Sequence, residues 1–126
     1  LRIRPLRLLE AIRMKQVTKI SLNELKEMSK KMFEAIVKAD VDLARSIVVV
    51  DMGMHADGEA YLLENGSKQK DLWGINLHPD KYGTDEFIEF DSMINLRPSQ
   101  SNFSRSIEDE KIRAQIVALI AGVVHE

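Results

Sequence analysis

The sequence predicts an α+β domain: a mostly antiparallel sheet of about four strands with helices packed on it, in the order α-β-β-α-β-β-α. Three observations predict it. Residues 20–36 place apolar side chains at helical spacing behind a capping signature. Residues 37–50 change to strict alternation and then to a β-branched run. Residues 112–123 return to helical spacing. Strands joined by short turns, with helices at both ends and one between, pack as helices on an antiparallel sheet.

The first helix starts at "ISLNEL". Ser21 can cap, Glu24 can reach back to it, and Ile20 can staple onto Leu25. Leu25, Met28, Met32 and Ile36 follow on one face, so the helix is expected to end between residues 32 and 38, with its methionines as core filler. In "VKADVDL" apolar residues alternate with Lys38, Asp40 and Asp42, as in a half-buried strand. "IVVV" suits a central strand, joined to the first by a hairpin over residues 44–46. "HADGEAYLLENGS" has two readings. It is a short helix stopped by Asn65-Gly66, which is preferred, or a hairpin about a type I′ Asn-Gly turn. "DLWGINLHP" is a strand ended by Pro79. "EFIEFDSMINLRP" alternates far enough to predict a long strand that bends near residues 91–92. Ser106 to Glu110 then supply caps and acids for a last helix whose apolar face is Ile112, Ile116, Leu119, Ile120 and Val123.

The 126 residues fit one domain, expected over residues 14–126. Residues 1–13 are expected to be an extension outside the core. They lack a continuous apolar stretch, Pro5 interrupts them, and Met14 precedes the first well-patterned segment. Residues 1–19 hold six basic groups against one acid, a sum of +5 in a chain of net charge −2, which leaves −7 for the rest. An acidic body disfavours broad nucleic-acid binding. No apolar run approaches the ~18 residues of a membrane span. The chain has no cysteine, which excludes disulfides, thiol catalysis and Cys-ligated zinc, and fits a cytoplasmic protein.

Two stretches carry a resemblance. One is Gly66, Ser67, Gln69, Asp71, Leu72, Trp73, Gly74 and Asn76; the other is Ile94, Asn95, Arg97, Pro98, Gln100, Asn102 and Ser104. With "MHADGEAYLLENGS", they resemble a small prokaryotic domain family of unknown function, from about residue 15 to the C-terminus. The resemblance implies no activity, cofactor or catalytic residue.

The candidate binding surface is the loop over residues 97–106. Eight of its ten side chains can donate hydrogen bonds and none is an acid. Arg97, Ser99, Gln100, Asn102, Ser104 and Arg105 could surround a phosphate or carboxylate, which guanidinium groups match with paired N–H bonds. The competing reading is a long connection whose side chains bond its own backbone. Acid–base candidates are His55 with Glu59, four residues apart, or with Asp51. One histidine without the His-Glu-x-x-His spacing makes no expected metal site, and no glycine-rich loop or Gly-x-Ser-x-Gly elbow occurs. Trp73 and Tyr61 lie in apolar patterns and read as core; Asn76 and Asn95 are odd within strands and could brace the loop from behind.

The leading expectation is therefore a binding module for a small anionic ligand or a protein partner, with no cofactor and no membrane or nucleic-acid partner. The alternatives are an enzyme acting on a phosphate-containing substrate, hydrolase or ribonuclease-like, and a homo-oligomeric scaffold, of which a homodimer is one form.

Overall fold

The computed structural model describes residues 13–126, so the expectation for the N-terminal extension lies, except for Arg13, outside the described residues. In chain order the elements are β1 (Lys15–Val17), β2 (Ile20–Ser21), α1 (Leu22–Ser29), β3 (Val37–Asp42), β4 (Ile47–Val50), α2 (His55–Glu64), β5 (Leu72–Leu77), β6 (Ile88–Glu89), α3 (Glu110–Val123) and β7 (Val124–His125). Strands β1-β4-β3-β5-β6 form one sheet in that order, antiparallel throughout. Strands β2 and β7 make a separate parallel pair. The α+β class holds, but the main sheet has five strands instead of four. The added strand is β1; it and the β2–β7 pair span only two or three residues each, too few to show a period.

The capping signature forms. Ser21 Oγ accepts from the Glu24 amide at 3.0 Å, and Ile20 and Leu25 are both buried. The helix stops at Ser29, short of the expected end. Ser29 Oγ bonds back to the Lys26 carbonyl at 2.8 Å, and the chain turns away through Ala35 at φ 56°. Met32 therefore leaves the helix face. Residues 55–64 are helical, closed by the Ser67 amide on the Leu62 carbonyl at 2.9 Å. The long strand expected over residues 86–96 pairs only at Ile88 and Glu89; 3-10 turns at Met93–Asn95 and Pro98–Gln100 replace the rest.

Alternation divides the sheet into two faces. Val37, Ala39 and Val41 of β3 stand opposite Leu77, Ile75 and Trp73 of β5. With Val48 and Val50 they pack against Leu25 of α1 and Ile116, Ile120 and Val123 of α3, forming the main core. Lys38, Asp40 and Asp42, opposite Asn76, Gly74 and Leu72, form the second face. That face was expected to meet water. Instead α2 covers it, and Asp40 and Asp42 are 0% exposed. Asp42 is satisfied there, accepting from Ser67 Oγ at 2.6 Å and from the Arg45 amide at 3.0 Å. A second, smaller apolar cluster of Val49, Met52, Leu62 and Leu72 fixes α2 to the sheet.

Candidate functional site

Strand β5 has an incomplete outer edge. The His78 amide donates to the Phe87 carbonyl at 2.8 Å, so by two-residue alternation positions 76, 74 and 72 present their backbone groups to the same side. Strand β6 reaches only Asn76 and Leu77. Side chains complete the edge. Asn95, fully buried, accepts from the Gly74 amide at 2.8 Å and donates to the Gly74 carbonyl at 3.0 Å, as a paired strand residue would. Arg97 donates to the carbonyls of Leu72 and Gln69. Its guanidinium lies 4.2 Å from the centroid of the Trp73 ring, and the residue is only 8% exposed.

The remaining donors hold the loop itself. Asn102 donates to the carbonyls of Asn95 and Ser106, both at 2.7 Å, and to Ser104 at 3.1 Å. Its Oδ1 accepts from the Glu108 amide at 2.9 Å. Gln100 donates to the Lys70 carbonyl at 3.1 Å, and Ser104 Oγ accepts from the Ser106 amide at 3.2 Å. Ser99 is exposed. The loop lacks acids because its partners are carbonyl oxygens, which need donors. Arg97 and Arg105 do not converge on a common point: Arg97 turns inward over Trp73, and Arg105 Nε bonds Asp91 Oδ1 at 2.8 Å. Burial lowers the Arg97 pKa, opposed by the nearby Glu59 carboxylate. Asn95 braces the loop as expected, although from a 3-10 turn instead of a strand.

Arg105 is the loop's contribution to a different feature, a cleft of about 500 Å³ beside the N-terminus of α2. Its polar lining includes Lys38, His55, Asn76, Ser92, Glu89 and Asp91. Met32, Phe33, Met54 and Met93 add apolar groups. Phe33 is 100% exposed, Met93 62% and Met54 48%. The cleft opens where α2 stops covering the polar sheet face. Gly74 lets two of the lining residues pack directly on the strand: a Cβ there would meet Ser92 at 2.7 Å and the His55 ring at 3.1 Å.

Two acceptors in this lining are notable. Asn76 Nδ2 donates to Glu89 Oε1 and to the Asp91 carbonyl, both at 3.1 Å, which fixes the orientation of the amide. Its Oδ1 is buried and has no partner among the described residues. Such a group costs about 1–3 kcal/mol. His55 Nε2 lies 2.8 Å from the Ile75 carbonyl, so this nitrogen carries the proton and Nδ1 is left as an acceptor. Burial is the main cause that lowers the His55 pKa to about 4, with the Lys38 and Arg105 cations adding to it and the Ile75 carbonyl and Asp91 opposing it. His55 is therefore neutral at pH 7. Burial alone would raise the Glu89 pKa, but bonds from His78, at 3.0 Å, and Asn76 outweigh it and hold it below the ordinary range.

The acid–base candidates separate. His55 lines the cleft, while Glu59 accepts from Gln69 at 3.2 Å and Asp51 pairs with Lys31 at 3.0 Å; neither lines it. Among the described residues no group of three or more His, Asp or Glu side chains is placed to hold a metal ion, and no helix is long and apolar enough to cross a membrane. Of the residues singled out in the sequence, His55, Asn76 and Arg105 line the cleft; Lys38, Asp91 and the Met54–Met93–Phe33 rim were not among the candidates. The available signals were a strand asparagine at position 76 and a lone aromatic, Phe33, beyond the helix. No curated protein and no solved structure matches the chain. A family model described as a protein of unknown function (DUF5674) matches residues 14–123, covering both motifs that carried the resemblance, and the chain belongs to that family.

Proposed function

We propose that the chain is a binding module whose contact surface for a polar ligand or protein partner is the cleft holding Lys38, His55, Asn76 and Arg105. The observation that carries this reading is a polar lining with an unpartnered buried acceptor, Asn76 Oδ1, beneath a rim of exposed Phe33, Met54 and Met93. Monomeric surfaces that gather large apolar side chains around polar groups are commonly interaction sites. Residues 97–106 enter this reading mainly as support, with Arg105 as their member in the cleft. The enzyme alternative needs His55 beside Glu59 or Asp51 and two converging arginines, and of that set only His55 and Arg105 share the cleft.

The test is a thermal-shift screen with nucleotides, sugar phosphates, carboxylates, amides and divalent metals, followed by NMR of the methionine methyl groups. A ligand at 100 times its Kd adds about 2.7 kcal/mol to stability. The reading expects at least one class to raise Tm and to move the Met54 and Met93 signals. Stabilisation with those signals unmoved, or no stabilisation by any class, contradicts it.

A homodimer has one specific observation in its favour. Val117 of α3, 48% exposed, borders a second groove of about 390 Å³ lined by Phe87, Ile88 and Phe90. Sedimentation of the wild-type chain and of Val117→Lys decides it: a dimer lost on substitution supports this reading, and a wild-type monomer ends it.

A further inference from the structure

We infer that the cleft takes an extended peptide segment of a partner protein, which donates backbone N–H groups to the lining and seats a large apolar side chain against the rim. The inference rests on the cleft being the contact surface and names what that surface recognises. Two acceptors in the lining, Asn76 Oδ1 and His55 Nδ1, have no hydrogen-bond partner among the described residues, and the Lys38 ammonium is a donor without one. Asn76 cannot flip to offer its NH₂, because Glu89 and the Asp91 carbonyl already hold it. His55 cannot offer an N–H, because Ile75 holds Nε2 and the ring is neutral. A ligand matched to these groups must donate to the two acceptors, and a carbonyl group beside its N–H can accept from Lys38.

Charge argues against an anion as the main recognised group. Glu34, Glu89 and Asp91 outnumber Lys38 and Arg105 in the lining, and Arg105 is engaged by Asp91 at 2.8 Å. An uncharged donor is repelled by neither the carboxylates nor the cations. A backbone amide is such a donor, and it comes with a side chain for the rim. Methionine side chains adapt to different apolar shapes, and Met and aromatic residues are enriched where proteins meet. Phe33, Met54 and Met93 supply both kinds.

The experiment titrates the wild-type chain with N-acetyl-leucyl-leucine methylamide and follows the methionine methyl resonances. Three further arms use the same peptide N-methylated at its leucine nitrogens, the free acid N-acetyl-leucyl-leucine, and the variant Phe33→Ser, whose side chain is too exposed to support the fold. The expected result is movement of Met54 and Met93, binding weaker after N-methylation by roughly tenfold for each hydrogen bond lost, and binding about tenfold weaker to Phe33→Ser. Equal binding of the N-methylated peptide overturns the donor assignment. Tighter binding of the free acid than of the amide replaces it with anion recognition. If the dipeptides leave the cleft unmoved while another compound from the screen moves it, the peptide inference fails and the binding reading stands. If nothing moves it, both fail.

Discussion

Asp40 stands in the central strand at 0% exposure, and neither of its oxygens has a hydrogen-bond partner among the described residues. Gly58 of α2 packs directly on its carboxyl; a Cβ at that position would collide with Oδ2. Burial first, then the nearby Glu59 and Asp57 carboxylates, raise the Asp40 pKa well above the ordinary value, with the Glu59 backbone opposing. The folded state therefore binds this proton more tightly than the unfolded chain does. The associated stability is complete below pH 3.8 and is lost as pH rises toward the folded-state pKa. His55 has the opposite sign. Its pKa falls from 6.5 to about 4, so its contribution is complete above pH 6.5 and is lost as pH falls through 4. Between these values the two groups oppose each other, each with a slope of up to about 1.4 kcal/mol per pH unit. Urea denaturation across pH 4 to 6.5 is expected to show stability rising more steeply with pH in Asp40→Asn than in wild type. In His55→Gln it is expected to fall relative to wild type. Asp40→Asn is also expected to be more stable than wild type at pH 7. Parallel profiles for all three proteins contradict the assignment.

At the scale of elements, the outer edge of β5 is a strand position filled by side chains. Truncating Asn95 leaves the Gly74 amide and carbonyl unpaired in the interior, and truncating Arg97 does the same for two carbonyls. Asn95→Ala and Arg97→Met are each expected to lose about 2–4 kcal/mol in urea denaturation. Asn95→Ala is also expected to speed hydrogen exchange at the Gly74 amide. Losses under about 0.5 kcal/mol, as at an ordinary surface position, would mean that the edge is not held this way. The sequence made the helices legible because caps and apolar spacing are local: Ser21 with Glu24, and Ile116 with Ile120 and Val123, needed no tertiary knowledge. Residues 86–96 misled because alternation reports which side chains share a face, whereas a strand also needs a partner. Beyond Glu89 that partner role passed to Asn95 and Arg97. The same limit applies to Asp40 and Asp42, whose face was legible while its cover by α2 was not.

For the whole molecule, three layers explain where the cleft lies. Helices α1 and α3 close the apolar face of the sheet, and α2 closes most of the polar face. The cleft is the part of the polar face that α2 leaves open. This arrangement also accounts for the contrast between an acidic chain and its acid-free loop. The donors of residues 97–106 are used mainly on carbonyls of β5 and of the loop. The motif was legible as a cluster of donors, and the choice between a ligand and the backbone as their acceptor depended on contacts some 20 to 30 residues away, such as Arg97 with Leu72 and Gln100 with Lys70. Phe33→Ser and Met93→Ser change only exposed side chains, so both variants are expected to keep wild-type stability within about 0.5 kcal/mol. The most direct measurement is a side-by-side comparison of ligand affinity, by calorimetry, for Met93→Ser and Ser99→Ala, using whichever compound raises Tm most. A binding site in the cleft predicts weaker binding to Met93→Ser and unchanged binding to Ser99→Ala. The reverse pattern would place recognition in the loop and contradict it.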